Sequence, residues 1–398
     1  MNAPDPPLHR NPKFLRGAAQ AVFALVFVYL VSAMLHNMVV ELDKRNLPLG
    51  FDFLGQPAGF TISETIIPFD DRSAYGWAFL AGIVNTLQVS GLGIVLATTI
   101  GVIVGVSRLS KNFLVRTLAT TYVEILRNIP LLVQLIVWYT VVFLNLPPLR
   151  RSLSLPGGVQ INNRGVYFPW FAANDQTRTW LMVFAVAALT GAVAWWRVER
   201  RRRANGAIRT EGRSWAQSWG MAAAWMLGSV AFITAGWALT GQPPFGMDYP
   251  VLKGFNFRGG ASVSPEFAAL LTGLTLYTAA FIAEVVRAGI QAVDKGQGEA
   301  AAALGLGRLQ SLRHVILPQA MRVIIPPMVN QYLNLTKNSS LAVAIAFPDL
   351  VAVGNTIINQ SGNAVQMMVL IMGTYLLISL AISWLMNRFN QRFRLAGR

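Results

Sequence analysis

Five charged side chains stand inside otherwise apolar stretches of the sequence. They are Glu124 and Arg127, Glu284 and Arg287, and Lys337. Residues three apart share one face of a helix, so each Glu–Arg pair projects in one direction. An ionisable group within a membrane costs at least about 2.5–3.5 kcal/mol on insertion scales, which makes each of these side chains a functional candidate.

These groups could bind a charged solute. A cation binds a carboxylate and an anion binds an ammonium, so Arg127 or Lys337 could take the first role and Glu124 the second. Asn338 and Ser339 follow Lys337 and add polar groups to the same candidate pathway. Alternatively, the charges pair with one another and only hold helices together. That structural interpretation is favoured for Glu284 with Arg287, and both interpretations stay open for the other three charges.

Catalytic and metal-binding patterns are missing from the sequence. There is no cysteine, and the three histidines, His9, His36 and His314, lie far apart. We therefore expect no metal site, no cysteine-based catalysis and no enzyme of this kind. The sequence has no G-x-x-x-x-G-K-[ST] phosphate loop, and no Gly-Lys pair at all, so ATP cannot bind by that route. An energy source would have to be another subunit or an ion gradient.

The composition predicts that the elements positioning these charges are membrane helices. Of 398 residues, 54% are hydrophobic and only 13% are charged, whereas soluble domains carry about 25% charged residues. The net charge of +16 could suggest nucleic-acid binding. The basic residues lie mostly between apolar runs instead, so we expect a lipid bilayer as partner and no nucleic acid.

Eight apolar stretches are long enough to span a bilayer, which needs about 20 residues each. They run near 17–40, 78–106, 117–145, 179–197, 218–241, 266–288, 320–347 and 365–386. The first resembles a signal peptide, but it is long and lacks a clear cleavage site. The sequence therefore predicts an all-α, polytopic membrane protein with about eight transmembrane helices.

The distribution of basic residues predicts the orientation. With the N-terminus inside, the inner segments hold 22 of the 33 Lys and Arg residues and the outer segments hold nine. The positive-inside rule then places both termini in the cytoplasm, and the run Arg197–Arg203 fixes the connection between the fourth and fifth spans. The outer segments 41–77 and 146–178 are predicted to form ordered turns or short caps.

Prolines and glycines mark special positions within the spans. Pro130 and the pair Pro326-Pro327 are expected to interrupt their spans, which membrane helices tolerate where the freed carbonyls are buried or line a cavity. Gly101 and Gly105 form a G-x-x-x-G pattern, which favours close approach of a second helix. The sequence does not identify that second helix.

One inner loop differs from the others. Residues 286–327 contain an Ala-rich helix former at Glu299–Leu304, then Gly305 and Gly307, then a second helical stretch from Arg308 that ends near Pro318. The pattern predicts a helix, a turn and a helix on the inner membrane face. From the residues alone, an ordinary connector and a docking element for a partner are equally good interpretations.

The spacing in this loop resembles the EAA loop of ABC importer permeases. That family pattern is EAA, three residues, Gly, nine residues, Ile, one residue and Leu-Pro. Here Glu299, Ala300, Ala301 and Gly305 match it, as do Leu317 and Pro318, while Val315 replaces the Ile. In that family the loop contacts the ATP-hydrolysing subunit, so the resemblance implies an ATPase-coupling role for these six matching residues.

Other segments are similar to the polar amino-acid (histidine/glutamine-type) branch of that family, and the layout is similar to the long permeases of general L-amino-acid importers of proteobacteria. The similar segments are 123–135, 280–297 and 334–350. The resemblance implies a type I core of five helices in two parts, 78–146 and 264–390, with the EAA loop at about 291–319. It further implies two additions: an N-terminal helix and periplasmic loop in 1–77, and an insertion with two helices in 147–263.

The resemblance implies an inner-membrane permease subunit of an ATP-driven importer for L-amino acids. Expected partners are two ATPase subunits, a second related permease and a periplasmic amino-acid-binding protein. ATP and magnesium would bind to the ATPase, and no cofactor to this chain. Two alternatives fit the sequence less well. A secondary transporter or channel would have no reason to keep the EAA spacing, and a membrane-embedded enzyme lacks a catalytic set.

Overall fold

Apolar helices make up most of the chain, as its long apolar runs predict. The structure, a computed structural model, describes residues 12–44, 50–186, 228, 232, 234, 236–243 and 245–393. The chain divides into two units, Met1–Val142 with Ala269–Arg398, and Phe143–Ala268. Each unit is described separately below, and the second contains the β-strands.

The first unit is built mainly of helices. In chain order they are α1 (Pro12–Lys44), α2 (Tyr75–Ser107), α3 (Phe113–Asn128), α4 (Leu131–Ile136), α5 (Pro265–Gln291), α6 (Lys295–Ala303), α7 (Arg308–Ser311), α8 (Leu317–Asn338), α9 (Leu350–Ser361) and α10 (Ala364–Phe393). Two π-helical segments, Val137–Phe143 and Leu312–Ile316, follow α4 and α7. A 3-10 segment, Ser339–Ile345, follows α8.

Four of these helices are long and apolar enough to cross a membrane. They are Leu15–Glu41 within α1, Tyr75–Ser107, Pro265–Gln291 and Ala364–Arg388 within α10. The predicted spans near 17–40, 78–106, 266–288 and 365–386 are therefore confirmed as continuous helices. The predicted spans 179–197 and 218–241 fall mostly outside the described residues, so they stay predictions.

The predicted span 117–145 is interrupted at Pro130, as expected, and the predicted span 320–347 lies almost wholly within the helical stretch Leu312–Ile345. Phe113–Asn128 and Leu131–Phe143 meet at 104°, and Leu312–Ile345 and Leu350–Ser361 meet at 53°. Pro130 causes the first bend, because the residue before a proline is driven to extended backbone, and Ile129 has ψ 128°. Counting each bent pair as one span raises the described total from four to as many as six.

In the second bent pair, two adjacent prolines do not interrupt the helix that contains them. Pro326 and Pro327 lie inside α8, which continues through them to Asn338. They remove the N–H groups that would bond to the carbonyls of Arg322 and Val323. The expectation that Pro326-Pro327 interrupts the span is therefore wrong. The helical path breaks further along the chain, where the 3-10 segment ends at Ala346 in a left-handed conformation with φ 58°.

Two glycines of α2 bring it against α5. A Cβ built on Gly101 would lie 2.6 Å from Cγ2 of Ile282, and one on Gly105 would lie 2.7 Å from the carbonyl oxygen of Ala283. Neither position has room for a larger residue, so the G-x-x-x-G pattern has the expected physical role and its partner is α5. A buried cluster that includes Ala97, Ile282 and residues of α8 completes this contact.

The start of α2 packs against α9 and α10. Phe79, Leu350, Val353 and Met367 are buried together there. Asp349 caps α9, since its Oδ1 accepts the N–H of Ala352 at 2.8 Å, and its side chain is fully buried. These contacts hold α2, α9 and α10 together in the first unit.

The second unit contains three small antiparallel sheets that the sequence analysis did not predict. Its strands are β1 (Leu153–Leu155), β2 (Val159–Asn162), β3 (Gly165–Phe168), β4 (Trp170–Ala173), β5 (Phe245–Asp248), β6 (Val251–Lys253), β7 (Asn256–Arg258) and β8 (Ala261–Val263). The sheet orders are β1-β2-β3-β8, β4-β5 and β6-β7. The mainly helical class holds, with these strands added to it.

Candidate functional site

The helix α6 carries the predicted coupling residues, and its ends have clear sequence causes. Asp294 caps its start, where Oδ1 accepts the N–H of Gly296 at 2.7 Å. At its end, the N–H of Leu306 bonds to the carbonyl of Ala301 at 3.1 Å and that of Gly305 to Ala302 at 2.9 Å. This pair of bonds is a Schellman motif, and it requires the left-handed φ of 77° found at Gly305.

The capped helix presents polar side chains and alanines outward. Glu299 and Ala300 are exposed, while Ala301 is buried and anchors the helix. Leu304 is 81% exposed, immediately before the turn at Gly305. The sequence analysis missed Leu304, although a large apolar side chain at the end of an Ala-rich exposed helix was the signal that could have identified it.

A second helical segment supports α6 from behind. The side-chain amide of Gln319 on α8 donates to Oε1 of Gln297 on α6 at 3.1 Å. Leu317 and Pro318 form the first turn of α8, and the helical path from Arg308 continues through them. The expectation that this stretch ends near Pro318 is therefore wrong, because proline is tolerated in the first turn of a helix.

Beside α6 lies a cleft of about 590 Å³. Its lining includes Asp294 and Glu299 from α6 and its cap, and Ile316 from the supporting segment. A short helix with an exposed apolar end and a cleft along one side has the features of a docking surface for another protein. The predicted residues Glu299, Ala300, Ala301 and Gly305 are thus brought together on one element.

Glu284 lies between two arginines. Its carboxylate accepts from Arg287 on the same helix, with Nη2 to Oε1 at 2.5 Å, and it also contacts Arg108 at the end of α2. The side chain of Arg108 is only 9% exposed. This cluster ties α2 to α5 near the glycine contact, which agrees with the structural interpretation of Glu284 more closely than with a solute-binding one.

A separate cavity of about 250 Å³ lies between α5 and α8. Tyr277, Thr278 and Phe281 line one side, and the amide side chains of Gln331, Asn334 and Asn338 line the other. The guanidinium carbon of Arg127 lies 5.1 Å from the centre of the Phe281 ring. The structure thus places Arg127 and Asn338, two predicted pathway residues, next to one polar cavity.

The remaining predicted pathway residues lie elsewhere. Lys337 is exposed and does not line the cavity, while Ser339 is fully buried and donates to the carbonyl of Thr336 at 2.7 Å. Glu124 is exposed, and within the described residues it forms no ion pair with Arg127. No group of three His, Asp or Glu side chains is placed to hold a metal ion in the part of the chain that the structure describes.

Comparison with known families gives one match. Residues 262–395 match the model of the binding-protein-dependent transport system inner membrane component. That range includes α5, the capped α6 segment, α8 and α9, and it therefore contains both the predicted coupling residues and the cavity.

Known proteins match over nearly the full length. The chain is 42% identical to the putative amino-acid ABC transporter permease protein YhdX of Escherichia coli K12, covering 98% of this chain and 96% of that protein. It is 42% identical to the general L-amino acid transport system permease protein AapQ of Rhizobium johnstonii, covering 98% and 94%. It is 39% identical to BztB of Rhodobacter capsulatus, a glutamate/glutamine/aspartate/asparagine transport system permease protein, covering 100% and 99%.

Proposed function

Because the chain belongs to the amino-acid ABC transporter permeases, we propose that it forms part of a pathway that imports L-amino acids. These permeases belong to the family of binding-protein-dependent transport system inner membrane components. The chain is a multi-pass membrane subunit and not itself an enzyme. The relatives of known name include one for general L-amino acids and one for four acidic and amide amino acids. Those names support this substrate class.

The observation that carries the proposal is the capped, exposed α6. Its matching residues Glu299 and Ala300 face outward, and Leu304 adds an apolar contact at the tip. A helix of nine residues gains little stability by itself in water, yet α6 is capped at both ends and braced by Gln319. This arrangement supports a rigid element that transmits movement between this chain and an ATPase.

The cavity between α5 and α8 is our candidate for the point where the solute passes. Its amide side chains, Gln331, Asn334 and Asn338, offer donors and acceptors without a fixed charge. Arg127 stands at its edge over Phe281 and supplies a cation that could meet a carboxylate. Glu124, Lys337 and Ser339 do not line this cavity, so we assign them no direct contact with the solute there.

The remaining parts of the proposal concern assembly. Two ATPase subunits bind ATP and magnesium and contact α6, a periplasmic binding protein delivers the solute, and a second, related permease completes the pathway as a heterodimer. Both termini face the cytoplasm, as the distribution of Lys and Arg indicates. The five-span core consists of 78–146 and 264–390, with 1–77 and 147–263 as additions.

Gentle extraction of the tagged chain from its own cells, followed by mass spectrometry of the retained proteins, tests the assembly. We expect an ATPase with a phosphate loop and a second permease of different sequence, each in stoichiometric amount. Recovery of one permease species only would contradict the heterodimer and leave the family role intact. A chain that stays alone, yet transports amino acids in liposomes under an ion gradient, would contradict the proposed function.

A further inference from the structure

The two-stranded ribbon β4–β5 has one face made entirely of apolar side chains. Its pairs are Trp170 with Asp248, Phe171 with Met247, Ala172 with Gly246 and Ala173 with Phe245. Neighbouring residues of a strand project to opposite sides, and directly paired residues project to the same side. Phe171, Ala173, Phe245 and Met247 therefore share one face. Asp248 lies on the other, with Ala172, Gly246 and Trp170, which is 54% exposed.

This apolar face is open. Phe171 is 62% exposed, Met247 51% and Phe245 42%. The rings of Phe171 and Phe245 lie 6.2 Å apart and form a continuous aromatic surface. An isolated two-stranded ribbon is marginally stable in water, and exposing such a face to water would weaken it further.

The ribbon leads directly into two apolar helical segments. Residues 177–186 are helical after β4, and residues 236–240 are helical shortly before β5. The indole N–H of Trp180 donates to Oγ1 of Thr240 at 3.1 Å, and the amide of Asn174 donates to the carbonyl of Pro243 at 2.9 Å. These bonds hold the two helix ends together at the base of the ribbon.

The same helical segments expose large apolar side chains on their outer surfaces. Leu181, Met182, Trp237 and Leu239 are all more than half exposed. Such a surface needs a lipid environment, and aromatic side chains concentrate where a bilayer meets water. The apolar face of the ribbon is therefore separated by only a few residues of chain from surfaces that require lipid.

We propose that the β4–β5 ribbon is a membrane-interface element, whose face of Phe171, Phe245 and Met247 lies in the headgroup region of the bilayer next to the helices it joins. The occupant is a phospholipid surface, and the carboxylate of Asp248 on the opposite face is directed to water. The proposed transport function does not depend on this surface, which gives the second unit a lipid-anchoring role of its own.

The absence of cysteine from the chain allows a direct test. The variants Phe171→Cys, Met247→Cys and Asp248→Cys would each carry a nitroxide label in the full chain, reconstituted into nanodiscs of phosphatidylcholine and phosphatidylglycerol. Collision with oxygen reports lipid, and collision with a water-soluble nickel chelate reports water. We expect labels at 171 and 247 to favour oxygen several-fold and the matched label at 248 to favour nickel.

Three other outcomes would each overturn the proposal. Equal nickel access at 171, 247 and 248 would place the whole ribbon in water. Low access of both reagents at 171 and 247 would mean that protein covers the face. Nickel access at 171 and 247 that is lost only when a soluble binding protein is added would make the face a protein-docking surface. Using one label on each strand guards against a single variant that distorts the ribbon.

Discussion

At the scale of single residues, Gly305 and Leu304 show how backbone and side chain combine at one turn. The left-handed φ of 77° at Gly305 ends α6 and turns the chain away, which leaves Leu304 at the tip with 81% of its surface exposed. A residue with a Cβ pays about 1–2 kcal/mol in this conformation. The position of Leu304 therefore depends on having glycine next to it.

The first prediction concerns that turn. Gly305→Ala should lower amino-acid uptake about 5- to 30-fold, the factor that corresponds to one or two kcal/mol, while membrane insertion stays normal. Gly373→Ala is the control, because Gly373 lies inside α10, away from α6, and a Cβ there would meet nothing within 4 Å. Uptake into cells and the amount of chain in membranes would be measured together. Equal uptake by both variants would refute the docking role of α6.

Arg127 is the second residue with a separable role. If its guanidinium binds the solute carboxylate, Arg127→Ala should lower uptake roughly tenfold or more, since a hydrogen bond to a charged group is worth about 1.5–3 kcal/mol. Arg116→Ala, at an exposed position of the same helix, should leave uptake unchanged. Uptake divided by the amount of chain in the membrane is the quantity to compare. If Arg127→Ala lowers uptake and the amount of chain in the membrane by the same factor, Arg127 has a structural role only.

At the scale of elements, the contact between α2 and α5 combines close packing with buried charge. Gly101 and Gly105 let the backbones approach, and Glu284 of α5 then reaches Arg108 at the end of α2. Because Arg108 is more buried than Arg287, its charge depends more strongly on the carboxylate. The two arginines are therefore not equivalent in the stability of this contact.

This inequality gives the third prediction. Glu284→Gln should lower the free energy of unfolding by about 1–3 kcal/mol, because it leaves the charge of Arg108 buried without a carboxylate. Arg287→Gln should cost less, since Glu284 keeps its contact with Arg108. Thermal unfolding of the purified chain in one detergent would compare the two variants. A larger loss for Arg287→Gln would show that the pair within α5 dominates.

The elements also show how far the sequence could predict this fold. The continuous helices α2, α5 and α10 follow from apolar length, and the end of α6 follows from Gly305. Apolar length cannot give the angle of a bend, so the sequence predicts an interruption at Pro130 but not its 104° turn. The β-strands of 3 to 4 residues in the second unit are too short to produce a clear alternating pattern.

The sequence predicted the residues of α6 better than those of the cavity between α5 and α8. The residues of α6 are contiguous, so a spacing pattern could identify them. The cavity combines side chains from α5 and α8 that are at least 50 residues apart in the chain, and their meeting depends on packing. Asn334 and Asn338 flank Lys337 in the sequence, whereas Gln331 has no local signal that sets it apart from other polar groups.

At the scale of the whole molecule, the distribution of basic residues has to agree with the direction of coupling. A segment that contacts an ATPase must lie on the cytoplasmic side, and the region 287–322 around α6 is one of the Lys- and Arg-rich segments. Positive charge is retained on that side of a bacterial inner membrane. The charge distribution and the proposed coupling role therefore both place α6 on the cytoplasmic side.

The fourth prediction tests that orientation with single cysteines. Ser63→Cys lies in an exposed segment between α1 and α2, and Lys111→Cys lies in the exposed connection between α2 and α3. In spheroplasts, a membrane-impermeant maleimide should label the cysteine at 63 at once and the cysteine at 111 only after permeabilisation, because α2 separates the two positions. The unsubstituted chain has no cysteine and controls for background labelling. Labelling of position 111 but not 63 in intact spheroplasts would invert the topology and place α6 on the wrong side for an ATPase. Immediate labelling of both positions would contradict the assignment of α2 as a membrane span.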